Sequence, residues 1–168
     1  MKNVDLKSNK RRRKYDKIVT AGTFDRLHLG HLYLLTKAFK ISKYVYIGIT
    51  DDQMIKNKEK SNEIWDFKKR FTEILNFLKD QRNYRLFRIN NPYGFTLKFK
   101  DLDAILVSKE TENTGKKINK RRKEKGFPKL KIETIEMIKS EKGNRISSTK
   151  IRKNKIDREG KLKLKRFM

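Results

Sequence analysis

Hydrophobic and polar positions along the chain follow two different periods, and the first of them predicts strands. Short apolar runs rich in β-branched and aromatic residues recur between polar segments. Such runs are typical of strands that are buried on both faces of a sheet. The first run ends in Ala21 and Gly22, which predicts a tight turn directly after the strand. The predicted strands cover residues 18–22, 44–49, 84–89, 103–108 and 130–138.

The second period, with apolar residues three and four positions apart, predicts helices between those strands. In a helix over residues 28–41, one face would carry Leu32, Leu35, Ala38 and Phe39. Residues 64–78 show the same spacing, with a predicted core face of Ile64, Phe67, Phe71, Ile74, Leu75 and Leu78. The other predicted helices are a short one capped by Asp51, a very basic one over residues 114–125 that ends at Gly126, and one over residues 147–153.

This alternation of strands and helices predicts one α/β domain, a doubly wound, Rossmann-like fold with a five-stranded parallel sheet. Ligands of such folds bind in the crevice at the carboxyl ends of the strands. The segments that directly follow predicted strands are therefore the candidates for a binding site. They are residues 22–31, 50–58, 108–111 and 145–152.

Charge runs set the expected boundaries of this domain. Residues 1–16 include the run Lys10-Arg11-Arg12-Arg13-Lys14, and a run of like charges is typical of a solvated arm. We therefore expect a basic arm over residues 1–16, the folded domain over residues 17–157 and a basic tail over residues 158–168.

Composition narrows the function mainly through charge. The 168 residues include 46 Lys and Arg against 20 Asp and Glu, which gives a net charge of +26. Such a field attracts polyanions, either nucleic acid or a phosphate-rich small substrate. A basic nucleic-acid-binding module is therefore an alternative to an enzyme. In this chain, however, Phe67, Phe71 and Phe77 have the helical spacing of core residues and do not predict a base-stacking surface.

The sequence also bears on the compartment. The chain has no cysteine, which excludes disulfides and thiolate metal sites. No apolar stretch reaches the roughly 20 residues that a membrane helix needs, and the basic N-terminus lacks an apolar signal core. We expect a cytoplasmic protein that makes no membrane contact.

The only two histidines, His28 and His31, lie three residues apart at a predicted helix start. Free backbone N–H groups and the helix dipole make such a start an anion site, and imidazoles there can donate hydrogen bonds to phosphate. Gly30 between them lets a phosphate or a backbone approach closely, and Gly22 allows the turn. The alternatives are ordinary structural histidines, or a zinc site with Asp25. Because no further acidic partner has a fixed position, we predict no metal site in the protein itself.

A second candidate phosphate site follows the last predicted strand. Ile146-Ser147-Ser148-Thr149-Lys150-Ile151-Arg152 offers hydroxyls and a helix start, and the guanidinium of Arg152 can donate two parallel hydrogen bonds. A hydroxyl cluster of this kind is often only a helix cap. The interpretation as a phosphate site therefore depends on finding both segments in this order, separated by about the length of a domain.

Both segments resemble motifs of the nucleotidyltransferase superfamily. Residues 22–31 match its Gly-Thr-Phe-Asp-x-x-His-x-Gly-His form, and residues 146–152 match its Ile-Ser-Ser-Thr-x-Ile-Arg form. Within the superfamily, residues 17–157 look most like the archaeal phosphopantetheine adenylyltransferases. Residues 50–58, 67–70 and 107–111 resemble further segments of that family, as do Asn119 and Arg122 at its Asn-x-x-Arg positions.

The resemblance implies transfer of an adenylyl group from ATP to 4'-phosphopantetheine, with Mg²⁺, giving dephospho-coenzyme A and pyrophosphate. Cytidylyltransferases and FAD synthetases share the first motif and remain alternatives. Nucleic acid is a possible partner that this reaction does not require, and the oligomeric state stays open between a monomer and a small homo-oligomer.

The family's residue roles carry over onto matching positions. His28 and His31 would hold ATP phosphates, with His31 facing the charge that develops during transfer, and Thr23 would touch both reacting phosphates. Lys58, or else Lys56, would neutralise the acceptor phosphate. Asp25 would orient the loop or bind Mg²⁺ through water. The remaining predicted binding residues are Gly22, Phe24, Gly30, Ser108, Glu110, Thr111, Asn119, Arg122, Ile146, Ser147, Ser148, Thr149 and Arg152.

Overall fold

A computed structural model of the protein describes residues 13–56 and 61–162. Most of the predicted arm, the end of the predicted tail and Lys58 lie outside the described residues. The strands are β1 (Tyr15–Gly22), β2 (Ser42–Thr50), β3 (Tyr84–Ile89), β4 (Ala104–Ser108) and β5 (Lys131–Ile135). The α-helices are α1 (Leu29–Ile41), α2 (Asp52–Ile55), α3 (Phe67–Phe77), α4 (Glu112–Glu124) and α5 (Ser148–Arg152).

The strands form one parallel sheet in the order β3-β2-β1-β4-β5, so the predicted fold class is confirmed. The strand order reverses between β1 and β4, because the chain crosses from one half of the sheet to the other after β3. In folds of this kind the ligand crevice opens at that reversal, beyond the carboxyl ends of the strands.

The sheet is covered on both faces, which explains why its strands are apolar throughout. On one face, α1 and α3 bury a cluster that includes Leu35 and Ile74. On the other face, α4 packs through Ile118 against a cluster that includes Phe95 and Leu102. Burial on both faces fixes the positions of the loops at the carboxyl edge.

Two predicted helices begin elsewhere than expected. The α3 helix starts at Phe67 rather than Ile64, because the Asp66 carboxylate accepts a hydrogen bond from Lys69 N at 2.8 Å and caps the helix there. Leu75, predicted to face the core, is 38% exposed. The α4 helix starts at Glu112, after a turn of 3-10 helix at Lys109–Thr111.

The domain is longer at its N-terminal end than the sequence predicted. Strand β1 begins at Tyr15 rather than at residue 17 or later, and the Tyr15 ring is buried. The Tyr15 hydroxyl donates a hydrogen bond to Glu133 at 2.5 Å, and Arg13 donates one to Ser42 O at 3.1 Å. The last part of the predicted arm is therefore anchored to the sheet.

The segment 156–162 packs on the folded domain, although the sequence predicted a basic tail outside the domain from residue 158. Arg158 O accepts a hydrogen bond from Leu29 N at 2.9 Å, at the start of α1. The Arg158 guanidinium pairs with Glu73 on α3 at 2.6 Å. Gly160 packs directly on Ile146, in the second predicted phosphate segment. This segment therefore braces the back of both predicted phosphate sites.

Within residues 13–56 and 61–162, no helix combines the length and the apolar character needed to cross a membrane.

The packing of Gly160 gives a stability prediction with a matched control. Gly160 has φ +87°, and a Cβ there would lie 2.6 Å from Ile146 Cδ1, whereas Gly143 has φ +73° with nothing within 4 Å of its Cβ position. Both Gly→Ala substitutions carry backbone strain, but only Gly160→Ala adds a clash. We expect Gly160→Ala to lower the free energy of unfolding by about 1–3 kcal/mol more than Gly143→Ala, measured by urea denaturation. Equal losses would show that segment 156–162 does not pack on the domain.

Candidate active site

The two predicted phosphate segments meet at one cavity of about 450 Å³ at the carboxyl edge of the sheet. The β1–α1 loop and the start of α1 form one wall, and the β4 end and the residues before α5 form the other. The predicted residues that line it are Gly22, Thr23, Phe24, Asp25, His28, Gly30, His31, Ser108, Glu110, Thr111, Ile146, Ser147, Ser148, Thr149 and Arg152. Segments more than 120 residues apart are thus brought together, as in the Arg152–Asp25 hydrogen bond.

The β1–α1 loop has a backbone that must be held in place. Phe24 and Arg26 have φ values of 53° and 50°, in the left-handed region that side chains disfavour. Phe24 is fully buried, and its ring lies in van der Waals contact with the position of a Cβ on Gly22. Gly22 therefore makes room for the Phe24 ring.

Asp25 anchors this loop from beneath the cavity. Its carboxylate is 1% exposed and accepts hydrogen bonds from Arg152 Nη1 at 2.6 Å, Trp65 N at 3.1 Å and Arg26 Nη1 at 3.3 Å. Its carbonyl accepts the Ser148 hydroxyl at 2.7 Å. Both carboxylate oxygens accept hydrogen bonds from donors of the chain, and these bonds hold the loop in place; the Mg²⁺ role stays a prediction.

Arg70 holds the same loop from the other side. Its guanidinium is fully buried and donates hydrogen bonds to Thr23 O at 2.7 Å, Thr50 O at 2.8 Å and Trp65 O at 2.8 Å, while pairing with Asp52 at 2.7 Å. It therefore joins the carboxyl ends of β1 and β2. The sequence pattern gave only a resemblance at residues 67–70 and did not reveal this role.

The two histidines form a stacked pair at the start of α1. Their ring centroids lie 3.8 Å apart at an interplanar angle of 19°, and the Phe24 ring meets His31 edge-on. Burial lowers the pKa of His28 to about 4, against the attraction of Asp25. Burial, together with His28, also lowers the pKa of His31 well below its usual value. Both rings are therefore neutral near pH 7, and each Nδ1 lacks a hydrogen-bond partner among the described residues.

Gly30 lines the cavity, and the prediction that it lets a phosphate or a backbone approach closely stays a prediction; its observed neighbour is the His28 ring. A Cβ at Gly30 would lie 3.1 Å from His28 Cε1 and 3.2 Å from His28 Nδ1, closer than ordinary van der Waals contact. The missing side chain makes room for the His28 ring, which can then stack on His31.

The opposite wall presents the hydroxyl cluster at the start of α5. Ser147 caps the helix by accepting a hydrogen bond from Lys150 N at 3.4 Å, and Thr149 Oγ1 accepts one from Arg152 Nη2 at 3.3 Å. The Arg152 side chain is 6% exposed, and its Nε forms no hydrogen bond in the described part of the chain but lies 3.8 Å from the Glu63 carboxylate. A guanidinium at the cavity wall can donate charge-assisted hydrogen bonds to an anion.

The end of β4 closes the cavity with polar groups that bond to one another. The hydroxyls of Ser108 and Thr111 lie 3.1 Å apart, and Glu110 pairs with Arg145. Arg145 also lines the cavity and was not singled out from the sequence. It lies directly before the recognised motif, so a search for cations beside the motif would have found it.

A second, smaller cavity of about 170 Å³ adjoins the first. The two cavities share Ala21, Gly22, Val107 and Thr111. The second one is mostly apolar, and its other walls include Met54, Ile89, Pro92, Tyr93, Phe95 and Ile118. A ligand that reaches from one cavity into the other would pass the β1–α1 loop.

Four predicted site residues are not placed at the cavity. Arg122 is fully buried on α4 and donates hydrogen bonds to backbone carbonyls of residues 96, 99, 100 and 128. Asn119 bonds both backbone groups of Leu130, at 2.9 Å and 2.8 Å. Neither residue lines either of these two cavities, and both hold loops of the fold. Lys56 is exposed and lines neither cavity, and Lys58 lies outside the described residues.

The described residues contain no group of three or more His, Asp or Glu side chains able to hold a metal ion.

Comparison with known proteins gives the chain a family. The model of the cytidylyltransferase-like family matches residues 19–154. A phosphopantetheine adenylyltransferase from Pyrococcus furiosus is 48% identical over 148 residues, covering 87% of this chain and 92% of its own. One from Methanothermobacter thermautotrophicus is 39% identical, covering 87% and 88%.

Solved structures show the same architecture. A protein of unknown function from Archaeoglobus fulgidus is 29% identical with a TM-score of 0.65, covering 78% of this chain and 99% of its own. A bifunctional NMN adenylyltransferase/ADP ribose pyrophosphatase from Francisella tularensis is 19% identical with a TM-score of 0.56, covering 83% and 41%. The second similarity concerns the fold alone.

The buried neutral histidine predicts a pH dependence of stability. The pKa of His28 is about 4 in the folded state and about 6.5 in the unfolded chain. The unfolded state therefore binds more protons between these values, and stability must fall as the pH drops from about 6.5 to about 4. We expect His28 to contribute a loss of up to roughly 3 kcal/mol over this window.

Denaturant unfolding of the wild type and of His28→Asn at several pH values measures this contribution. The difference between their free energies of unfolding should change across the window and be constant above it. A constant difference at every pH would contradict a neutral, buried His28.

Proposed function

The chain belongs to the phosphopantetheine adenylyltransferase family within the cytidylyltransferase-like nucleotidyltransferases, and from this premise we propose that it transfers the adenylyl group of ATP to 4'-phosphopantetheine. The products are dephospho-coenzyme A and pyrophosphate. As a step of coenzyme A synthesis, the reaction belongs to the cytoplasm.

One observation carries the assignment of ATP to the larger cavity: neutral, stacked histidines lie on one wall and the α5 hydroxyls and Arg152 on the other. A neutral imidazole N–H donates to phosphate without the desolvation cost of a buried cation. ATP would therefore lie with its phosphates between His28, His31 and Ser147–Thr149. Ser108, Glu110 and Thr111 would border the rest of the nucleotide.

The apolar second cavity suits the pantetheine arm of the acceptor. The two cavities meet at Gly22 and Thr111, so an acceptor phosphate at their junction would lie beside Thr23. The Thr23 carbonyl is held by Arg70, which fixes the backbone at that point. With ATP in the first cavity and 4'-phosphopantetheine in the second, the two reacting phosphates would face each other at this loop.

The proposed reaction needs no nucleophile from the protein. A phosphate oxygen of 4'-phosphopantetheine attacks the α-phosphorus of ATP, the new P–O bond forms, and the bond to the β-phosphate oxygen breaks. The bonding electron pair leaves with pyrophosphate. Alignment of the reactants and stabilisation of the charge on the transferring and leaving groups then account for catalysis. His31 is proposed to donate to the oxygen on which that charge develops.

Mg²⁺ is proposed to arrive with ATP. The carboxylate of Asp25 already accepts three hydrogen bonds from the chain, and the described residues contain no cluster of three or more metal-ligating side chains. Mg²⁺ commonly binds through substrate phosphates and keeps several waters. It would neutralise charge on the leaving pyrophosphate.

A direct assay tests the proposal and the role of His31. The pure protein with Mg²⁺, ATP and 4'-phosphopantetheine should release pyrophosphate, while CTP with glycerol phosphate and ATP with FMN should release none above background. Turnover in only one of these side reactions would refute the substrate assignment. His31→Ala should lower kcat by about a hundredfold or more at little change in thermal stability, and full activity would remove His31 from the mechanism.

Two lysines between β2 and α3 allow a test of which cation neutralises the acceptor phosphate. Lys58 is proposed to neutralise the acceptor phosphate, whereas Lys56 is exposed and lines neither cavity. Lys58→Ala should therefore lower kcat by about tenfold or more, and Lys56→Ala should change it less than about threefold. Steady-state pyrophosphate release measures both variants. The opposite ranking would assign the role to Lys56.

A further inference from the structure

The outward face of α4 and the chain that follows it form a strip of cations that the proposed reaction does not use. We call this strip the basic ridge; its residues are Lys117, Lys120, Lys123, Lys125, Lys129 and Lys131. All six side chains belong to exposed residues. The residues of α4 that point inward are Gly115, Ile118 and Arg122.

Most of these charges are unpaired. On α4, Glu112 and Glu124 pair with Lys116 and Arg121. None of the ion pairs within residues 13–56 and 61–162 includes a ridge lysine, and Lys125 Nζ donates a hydrogen bond to the backbone Leu97 O at 3.4 Å. Lys117 and Lys120 are three residues apart, as are Lys120 and Lys123, and like charges at such spacings destabilise a helix. The helix therefore carries a repulsion that an anionic partner would relieve.

The ridge continues into a groove at the opposite edge of the sheet from the active site. This groove has a volume of about 580 Å³ and contains Lys129 and Lys131 together with Arg13, Lys14 and Lys43. Its acidic members are already engaged, because Asp16 pairs with Lys43 and Asp103 accepts the backbone N–H groups of residues 16 and 17. The unpaired lysines of the ridge thus extend from α4 to the amino edge.

The ridge is separate from both substrate cavities. Thr114 and Ile118 line the second cavity from the inner side of α4, whereas Lys117, Lys120 and Lys123 are exposed on its outer side. No ridge residue lines the ATP cavity or the apolar cavity. A partner on the ridge could therefore bind while the substrates are in place.

We propose that the basic ridge binds the phosphate backbone of double-stranded nucleic acid. The 13 residues of α4 span roughly 20 Å, and duplex DNA carries one negative charge per about 1.7 Å of its axis. Side chains three and four residues apart on a helix lie about 5–6 Å apart, which lets successive lysines reach separate phosphates. Such contacts give affinity without sequence specificity.

Two features distinguish a duplex from other polyanions. The aromatic residue between the ridge lysines, Phe127, is half-buried with Arg122 over its ring, so the ridge offers no open platform on which the bases of a single strand could stack. The large apolar side chains that are exposed among the described residues are Tyr33, Leu75 and Leu162. None of them lies on the ridge, so it lacks the apolar anchors by which peripheral proteins enter a membrane.

Fluorescence anisotropy with a labelled DNA duplex of about 20 base pairs, at several salt concentrations, tests the proposal on the full chain. The ridge variant is Lys117→Gln with Lys120→Gln and Lys123→Gln. The control variant removes the same charge from exposed, unpaired positions on and after α3, on the other face of the sheet, by Lys68→Gln, Lys79→Gln and Arg82→Gln.

We expect the wild type to bind with a steep salt dependence. The ridge variant should lose about tenfold or more in affinity, and the slope of log affinity against log salt should become shallower by roughly 2 to 3. The control variant should lose less than about threefold. Thermal stability of the ridge variant should be unchanged or higher, since repulsion is removed, and its pyrophosphate release should equal that of the wild type.

Several results would overturn the proposal. Absence of binding would refute it outright, and equal losses in both variants would show that net charge alone causes the binding. Displacement of the duplex by saturating ATP would place it in the active site. Tighter binding of a single strand would contradict backbone recognition of a duplex. Binding to phosphatidylserine vesicles that the ridge variant loses, with no duplex binding, would assign the ridge to anionic membranes.

Discussion

The buried carboxylate of Asp25 is the contact on which the proposed active site depends. It accepts hydrogen bonds from Arg152 in α5, from Trp65 in the segment before α3, and from Arg26 in its own loop. Removing one partner of a buried, charged network leaves an unpaired group at a cost of about 3–5 kcal/mol. The two phosphate-binding walls are therefore tied to each other by one side chain that need not touch a ligand.

The remaining contacts at the site complete this restraint. Arg70 fixes the Thr23 carbonyl, Ser148 fixes the Asp25 carbonyl, and segment 156–162 braces the start of α1 through Arg158. Together they hold a loop with two residues in the left-handed region. Donors held in position before ATP binds need little reorganisation during transfer, which is the condition for electrostatic catalysis. The low pKa of His28 and His31 follows from the same burial.

The sequence predicted what depends on local pattern. The strands and the buried faces of α1 follow from apolar spacing, and residues 22–31 and 146–152 were recognisable because their turns and caps need particular residue types. The sequence did not reveal the roles of Arg70 and Arg122, because a buried arginine is bound by whichever carbonyls the tertiary fold leaves unpaired. The sequence also placed Arg158 in a basic tail. A charged segment has no apolar period that would indicate that its backbone carbonyl binds the first residue of α1.

The protein is proposed to align two substrate phosphates and to supply no nucleophile of its own. Exchange of labelled pyrophosphate into ATP tests it most directly, because a covalent adenylyl-enzyme would form from ATP alone and return label to ATP. Direct transfer predicts that label enters ATP only when dephospho-coenzyme A is present with the pyrophosphate. Exchange with ATP, Mg²⁺ and labelled pyrophosphate alone, in acceptor-free protein, would contradict it.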